Sequence, residues 1–431
     1  MLLYLIGFLF YFLFQLFKQR DKLFWALSGA AYFTGAEVFL RMTKSFIFYE
    51  TGKYGVMLFC LLGMFFIGFK RNAAPYLIYF LLLLPAVWVA YDQLSFDLNF
   101  RKSVLFNLSG PICLSVAAVF TFGRTLKLEQ LLKVLDFVVY PLIAMTVYVI
   151  LYTPSDKEVF INTASNVAAS GGFGANQVST VLGMGFFILL TRFFLPYKNV
   201  VVHWSMMLFM ALMGYRALLT FSRGGVLVGL LVGAIFIGIY FLTVSLKTKT
   251  TITMKLMVLF FGAILLWGYS EVQTGGMITN RYTNKDALGR EKEDITTGRG
   301  DLAEAELDAF KENPIFGLGV GRVRGYFEEE IGVTLPTHNE VTRMFSEHGL
   351  FGILALLTLI FAPIITKLQG RKNIYFWSFL LFWFLTISHS SMRIAAPAFI
   401  YALCLLNIDY APEKKAIVHR KQAITPRPVT D

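Results

Sequence analysis

Long apolar runs follow one another along most of this chain, and short polar connections separate them. The runs have roughly the 20-residue length that a helix needs to cross a bilayer core. Backbone hydrogen bonding inside a bilayer allows only helices or closed barrels, and these runs are too long and too continuously apolar for barrel strands. The pattern predicts an all-α, polytopic transmembrane bundle of about 13 spans, or about 12 if the short first run only lies at the membrane surface. The predicted spans are residues 2–17, 23–40, 54–69, 75–92, 103–123, 131–153, 177–196, 201–221, 224–243, 253–271, 347–366, 372–389 and 394–408.

The composition agrees with this pattern and excludes a soluble globular domain. Hydrophobic residues make up 56% of the 431 residues, charged residues 15%, and the mean hydropathy is +0.62. Soluble domains carry about 25% charged residues. The three cysteines, Cys60, Cys113 and Cys404, lie in apolar runs without metal-ligand spacing, so we expect them to be packing residues.

One long polar segment, residues 272–345, interrupts the apolar pattern, and we expect the chemistry there. The chain accordingly divides into transmembrane helices with short loops (1–271), an extracytoplasmic catalytic loop (272–345), C-terminal transmembrane helices (346–408) and a cytoplasmic tail (409–431). The first run has no basic start and no small-residue cleavage site, so we expect it to be retained rather than removed as a signal peptide.

The formal charge of +12 reflects membrane orientation rather than a nucleic-acid surface. The loop 272–345 holds 9 basic and 13 acidic residues, whereas the rest of the chain holds 30 basic and 14 acidic residues. Most of the basic residues lie in connections after alternate spans, which predicts that these connections are cytoplasmic and that the loop faces the other, extracytoplasmic side of the membrane. The connections with Arg41, Lys44 and Lys53, and with Arg101 and Lys102, fit this orientation poorly.

Arg223 lies between two predicted spans, on the side where the orientation rule asks for no basic residue. One interpretation is an arginine that caps a helix or extends to the lipid headgroups. The other is a phosphate contact, because Gly224 and Gly225 allow close backbone approach and a helix starts directly after them. Arg216, two helical turns earlier, is a candidate second phosphate contact, with a headgroup role as its alternative.

Arg299 precedes a predicted helix, Leu302 to Glu312, which is rich in Ala, Glu and Leu and ends at Asn313-Pro314. Asp301 and Glu304 have the spacing of a capping box. Helix-end backbone donors and the guanidinium could share one anion, and the alternative is a surface arginine paired with a carboxylate. The glycine-rich run Gly317 to Gly321 behind the helix is weak evidence for a phosphate cradle, and we name the following Arg322 as a further substrate contact.

His338 is the candidate catalytic base. Thr337 and Glu340 have capping-box spacing, which places His338 in the first turn of a helix, where the positive helix end favours the neutral imidazole. A neutral histidine near pH 7 can accept a proton. The alternative is a histidine that only caps or hydrogen-bonds at the membrane surface.

Polar residues within the spans have simpler explanations. Three pairs stand at helical i, i+3 or i+4 spacing and are expected to be structural: Glu37 with Arg41, Asp136 with Lys133, and His389 with Arg393. Asn176, at the end of the glycine-rich turn that begins at Gly171, is a candidate substrate contact.

Together these features resemble the O-antigen ligase and O-antigen polymerase superfamily, over about Gly171 to Phe361. Arg223 and Leu227 fit its R-x-x-x-L pattern, and His338 with Gly349 fits its H-x10-G pattern. The loop signature is carried by Gly298-Arg299 and by the run Asn313-Pro314-Ile315-Phe316-Gly317-Leu318-Gly319. The pair His338-Asn339 matches as well, and we name Asn339 as a tentative substrate contact.

The resemblance implies a GT-C-like, metal-independent membrane glycosyltransferase that needs no cofactor and uses an undecaprenyl-diphosphate-linked glycan as donor. The acceptor would be a lipid A-core sugar for a ligase, or the growing glycan for an O-antigen or exopolysaccharide polymerase. Arg223 and Arg299 would stabilise the diphosphate leaving group, and His338 would deprotonate or orient the acceptor hydroxyl. The sequence shows no Asp-x-Asp motif for a metal in the extracytoplasmic segments.

Three further functions stay open at this point. The polymerase and the ligase are barely separable from these residues, and a protein-glycosylating ligase is a third variant. A transporter or flippase would predict internal repeats and spans broken near the membrane midplane, and the sequence shows neither.

Overall fold

The computed structural model describes residues 1–93, 98–153, 159–196, 199–294, 298–332, 335 and 337–410. The predicted tail from 411 onward lies outside the described residues, as do Thr297 and Pro336. The helices are α1 Leu2–Lys18, α2 Lys22–Met42, α3 Thr51–Ile67, α4 Ala74–Leu82, α5 Leu84–Gln93, α6 Leu98–Thr121, α7 Leu128–Tyr152, α8 Ala175–Phe194, α9 Val200–Leu219, α10 Arg223–Thr243, α11 Leu246–Thr274, α12 Met277–Tyr282, α13 Arg299–Glu312, α14 Val323–Ile331, α15 Glu340–Leu368, α16 Phe376–Ser390 and α17 Ala395–Cys404. Two three-residue strands, β1 Thr125–Lys127 and β2 Asn407–Asp409, pair in parallel.

The predicted all-α, multi-pass architecture is confirmed. Among the described residues, nine helical segments are long and apolar enough to cross a membrane, and four shorter apolar helices accompany them. These 13 segments correspond to the 13 predicted spans. The short α1 packs on α2 through the ring of Phe8, whose centroid lies 4.8 Å from that of Tyr32 and 4.9 Å from that of Phe33.

One end of the bundle carries most of the basic connections, and we call it the basic end. The strand pair β1–β2 lies there, and Lys70 donates a hydrogen bond to the carbonyl of Gly123 just before β1. The opposite end carries the segment between α11 and α15, and we call it the loop end. Two other connections lie at the same end. Thr163 donates to the carbonyl of Lys285 in this segment, and Asn166, from the same connection as Thr163, donates its backbone N–H to the carbonyl of Thr220.

Two of the cations that fit the orientation rule poorly are buried rather than exposed. Arg41 binds Glu37 at 2.6 Å and Glu50 at 2.9 Å, and Lys53 binds Glu50 at 2.6 Å. Because these charges are paired inside the bundle, they do not act as charges of a surface connection. The predicted Glu37–Arg41 pair is thereby confirmed.

The predicted partner of Asp136 is wrong. Asp136 binds Arg192 of α8, with a closest distance of 3.1 Å, while Lys133 lies on the exposed side of α7. Helical spacing places Lys133 near Asp136 along the sequence, but Asp136 faces the interior, where Arg192 of the neighbouring helix supplies the partner that a buried carboxylate needs.

The loop segment is folded against the start of α15. Backbone donors of Leu318 and Gly319 reach the carbonyls of Ser346 at 2.8 Å and Glu347 at 3.1 Å. The helical dihedrals of α15 are interrupted at Gly349, whose φ is +59°. A methyl group on Gly349 would lie 2.6 Å from the carbonyl of Ile315, so this position needs both the left-handed conformation and the missing side chain.

Gly349→Ala is expected to lower the free energy of unfolding by about 2–4 kcal/mol, from left-handed strain together with the clash against Ile315. Gly332→Ala is the matched control, because Gly332 has φ +67° and no atom within 4 Å of the added methyl group. Gly332→Ala should lower the free energy of unfolding by about 1 kcal/mol, because only the left-handed strain is added. Denaturant titration in detergent micelles measures both, and equal losses in the two variants would contradict the close packing of the loop.

Candidate active site

The start of α10 is fixed by an unusually close approach to α8. A methyl group on Gly225 would overlap the backbone of Ser179, and one on Gly183 would overlap the carbonyl of Gly225. Only glycine at these positions lets the two helices come so close. The crossing therefore fixes the position of Arg223, the first residue of α10.

The turn before α10 is held by α8 as well. The Ser222 hydroxyl donates to the side-chain oxygen of Asn176 at 2.8 Å, and the Ser179 hydroxyl donates to the carbonyl of Ser222 at 2.8 Å. Phe221 adopts a left-handed conformation with φ +55°. Asn176, which the sequence suggested as a substrate contact, thus positions the residue that precedes Arg223.

Arg281 joins Arg223 from the loop segment. It lies in the last turn of α12, and its Nε donates to the carbonyl of Phe221 at 2.8 Å. Burial, followed by the charges of Arg223 and Arg299, lowers the pKa of Arg281 to about 10. The three guanidinium groups therefore lie within electrostatic reach of one another.

Arg299 is the first residue of α13. The predicted helix is confirmed, but it begins at Arg299 rather than Leu302, and Gly298 stands at the cap position, so the capping box of Asp301 and Glu304 is wrong. Gly298, with φ +77°, reverses the chain at this point and takes over the role of the cap residue. Burial and the charge of Arg223 lower the pKa of Arg299.

The helix α13 is docked on α15. Thr342 of α15 donates a hydrogen bond to the carboxyl group of Glu306, and the rings of Phe310 and Phe345 lie 6.0 Å apart. Burial raises the pKa of Glu306 to about 7. This docking brings Arg299, at the start of α13, to the segment that precedes α15.

His338 lies in that segment, outside the helix. The expected place in the first helical turn is wrong, because Asn339 is the cap residue and its side chain accepts from the backbone of Val341 at 2.9 Å. Burial lowers the pKa of His338 to about 4, and the charges of Arg393 and Arg299 contribute in that order. The imidazole is therefore neutral at pH 7, as expected, but burial and two arginines are the cause rather than a helix end.

Arg393 lies between α16 and α17 and contacts the backbone beside His338. Its guanidinium donates to the carbonyl of Thr337, and its own carbonyl accepts from Arg41 at 3.1 Å. The expected pairing of His389 with Arg393 is not found. His389 contacts the carbonyl of Leu385 at 2.8 Å instead, because its ring points toward α10, where a methyl group on Gly224 would overlap it.

We call Arg223, Arg281, Arg299, Arg393 and His338 the arginine cluster. Arg299 and Arg393 lie within electrostatic reach of the neutral imidazole, and Arg223 and Arg281 interact with Arg299. Such guanidinium groups suit a ligand with several phosphate oxygens, because each can bind two oxygens and stays charged. Among the residues that the structure describes, no three His, Cys, Asp or Glu side chains form a group that could hold a metal ion. Transfer without a metal stays a prediction.

Residues 208–357 match the model of the Wzy_C family, which is described as O-Antigen ligase. Over these residues the chain is similar to the O-antigen ligase family. The resemblance predicted from the sequence is confirmed there, and the matched region includes all members of the arginine cluster except Arg393. It does not include the glycine-rich turn at Gly171. Comparison with curated proteins gave no match.

The similarity to the O-antigen ligase family supports a glycosyltransferase-like enzyme, and the candidate membrane spans support a multi-pass membrane protein. Three residues that the sequence predicted as substrate contacts have other places in the structure. Arg216 is 1% exposed and donates to Thr153 and to the carbonyl of Ala169. Asn339 caps α15, and Arg322 precedes α14. Their roles in substrate binding stay predictions.

Arg281 is the member of the arginine cluster that reasoning from the sequence missed. It matches none of the quoted motifs and follows Arg223 by 58 residues. The available signal was an arginine about ten residues beyond a predicted span, on the side that the orientation rule expects to be poor in basic residues. Arg393 was expected to be a structural partner of His389.

Proposed function

We propose that the protein is an O-antigen ligase-like glycosyltransferase. It would transfer a glycan from undecaprenyl diphosphate to a sugar of the lipid A-core on the periplasmic side of the inner membrane. The observation that carries this proposal is the convergence of Arg223, Arg281 and Arg299 beside a neutral His338, within a region that matches the O-antigen ligase family.

The arginines would act on the leaving group. When the bond between the anomeric carbon and the diphosphate breaks, negative charge grows on the diphosphate oxygens. The charges of Arg223 and Arg299 lower the pKa of Arg281, and the charge of Arg223 lowers the pKa of Arg299, which supports a concentration of positive charge at one place. A diphosphate would relieve this repulsion, and its developing charge would be stabilised by groups already in position.

His338 would accept the proton of the attacking acceptor hydroxyl. With a pKa of about 4 in the free protein, the imidazole is a weak base. Binding of a diphosphate would offset the charges of Arg299 and Arg393, which both lower this pKa, and the imidazole would become a better base in the complex. The base would therefore be activated by the donor itself.

The pH dependence of the reaction follows from this coupling. In the free protein the pKa of His338 is about 4, below its ordinary value of 6.5, so kcat/KM should fall only as the pH drops toward about 4. In the donor complex the pKa is higher, so kcat should fall at a higher pH than kcat/KM does. Initial rates from pH 4 to pH 9 measure both profiles. If kcat fell at the same pH as kcat/KM, or at a lower pH, activation by the donor would be contradicted.

The periplasmic placement is supported by the charge distribution. The arginine cluster lies at the loop end, and the short basic connections gather at the basic end, as in Lys70 beside Gly123 and Lys255 on the carbonyl of Phe193. Such connections stay in the cytoplasm as a rule, which supports a cluster on the other side. There it would meet the carrier-linked glycan and the lipid A-core acceptor.

The glycolipids of cells that lack this gene test the proposal and separate it from the polymerase alternative. A ligase predicts core without O-chain, together with long polymer that accumulates on the undecaprenyl carrier. Core that carries a single repeat unit would instead mean a polymerase, which extends the chain on the carrier. Gel analysis of the lipopolysaccharide and mass spectrometry of the carrier-linked intermediates distinguish the two results.

A further inference from the structure

A groove opens on the outer face of the bundle at the basic end, away from the arginine cluster. It has a volume of about 420 Å³ and lies between α4 and α15. Phe361 and Ile365 of α15 form one wall and are 53% and 51% exposed, and Pro75 and Phe122 lie across from them. An apolar wall that is half exposed in a membrane-spanning helix faces lipid.

Positive charge gathers at one end of this groove. Arg371 lines it, with its guanidinium 4.1 Å from the ring centroid of Phe122. Lys70 and Arg124 reach the same corner. Lys70 donates to the carbonyl of Gly123. Arg371 lies beside the same glycine, since its guanidinium would be 3.0 Å from a methyl group on Gly123. The side chain of Arg124 extends to the carbonyl of Gly68, at the end of α3.

A fourth cation, Lys367, donates to the carbonyl of Arg371 at 3.2 Å. The ion pairs found among the described residues include none of Lys70, Arg124, Lys367 and Arg371, whose hydrogen bonds go to backbone carbonyls instead. Of the residues that the structure describes, those that line the groove include no acidic one. The groove thus joins an apolar wall to a positive corner that no described carboxylate neutralises.

We propose that this groove binds one anionic phospholipid from the membrane leaflet at the basic end, with an acyl chain along Phe361 and Ile365 and the phosphate at Arg371. The apolar wall selects a lipid over a soluble phosphate, because burial of acyl methylenes supplies binding that a free anion lacks. The cations select an anionic headgroup over a zwitterionic one, since basic pockets between helices at this side of a membrane recognise anionic headgroups.

Native mass spectrometry of the purified full-length protein tests this site, with phosphatidylglycerol and phosphatidylcholine of identical acyl chains as probes. The protein should bind phosphatidylglycerol at least fivefold more tightly than phosphatidylcholine. A fivefold difference is about what one cation beside an anionic headgroup contributes. Arg371→Gln should weaken the binding of phosphatidylglycerol about fivefold and leave the binding of phosphatidylcholine unchanged. Lys247→Gln removes one charge from an exposed position at the start of α11 and is the matched control, which should bind both lipids as the wild type does.

Ala362→Phe tests the apolar part of the groove without a change of charge, because Ala362 lines the wall between Phe361 and Ile365. It should weaken phosphatidylglycerol even if the Arg371 variant fails to fold. Equal affinity of the wild type for the two lipids would overturn the proposal, and so would wild-type lipid binding in the Ala362 variant. Displacement of phosphatidylglycerol by an equal concentration of inorganic phosphate would assign the positive corner to a free anion and would overturn it too.

Discussion

Replacement of Arg299 by alanine is expected to lower kcat/KM for glycan transfer by about 10²–10³-fold, the usual effect of removing one group that stabilises a developing oxyanion. Arg299 is partly buried at the start of α13, and its charge reaches Arg281 and His338. The variant therefore loses a contact to the leaving group and one of the charges that couple the donor to the base. Release of undecaprenyl diphosphate by the purified protein measures the effect.

Arg290→Ala is the matched control for this substitution. Arg290 belongs to the same loop segment, but its side chain is 73% exposed and pairs with Asp286 at 2.6 Å. An exposed pair of this kind contributes little to stability, so the control should keep its activity. Wild-type transfer by the Arg299 variant, or an equal loss in the Arg290 variant, would contradict a specific role of the arginine cluster in the chemistry.

Substitution of His338 by alanine has the second large expected effect, a decrease in kcat of about 10²–10⁴-fold, as for removal of a general base. The KM for the donor should change little, because the diphosphate is bound by the arginines and His338 acts on the acceptor hydroxyl. Steady-state kinetics with a varied donor concentration separates kcat from KM. The acidic limb of the kcat profile should also disappear in this variant.

His203→Ala controls for the loss of an imidazole as such. His203 stacks on Phe193, with 5.0 Å between the ring centroids, near the start of α9 at the basic end. Its removal should leave kcat unchanged. Full activity in the His338 variant would remove His338 as the base and would leave the arginines to act on a hydroxyl that solvent deprotonates.

The sequence predicted the spans well, because hydrocarbon thickness forces apolar runs of a fixed length. It also singled out Arg223, Arg299 and His338, in part from their position outside the membrane and in part from motifs shared with a family. The structure brings these three to one place. Such motifs can be read without a fold, because they record residue types at fixed spacing along the chain.

The features that the sequence did not show depend on contacts between distant segments. Arg281 enters the cluster only because α12 packs on the turn at Phe221. Asp136 pairs with Arg192, 56 residues away, and local spacing favoured the wrong partner. These pairings follow from which helix faces which, and the chain's periodicity carries little information about that.

Helix ends illustrate a second limit. Thr337 and Asn339 are both good cap residues, and the choice between them decides whether His338 lies inside or outside the helix. Because Asn339 caps α15, His338 lies before the helix, where the charges of Arg393 and Arg299 act on its imidazole. The neutral state of the histidine was predicted, but its physical cause could only be found in the assembled structure.

The central claim is that the arginine cluster transfers a glycan from a diphosphate carrier to a separate acceptor. Purified protein in proteoliposomes, supplied with undecaprenyl-diphosphate-linked glycan and lipid A-core, tests it most directly. We expect one undecaprenyl diphosphate to be released for each glycan that appears on the lipid A-core, with no release when the acceptor is left out. Elongation of the glycan on the carrier without glycosylated core, or no transfer by the intact protein, would contradict it.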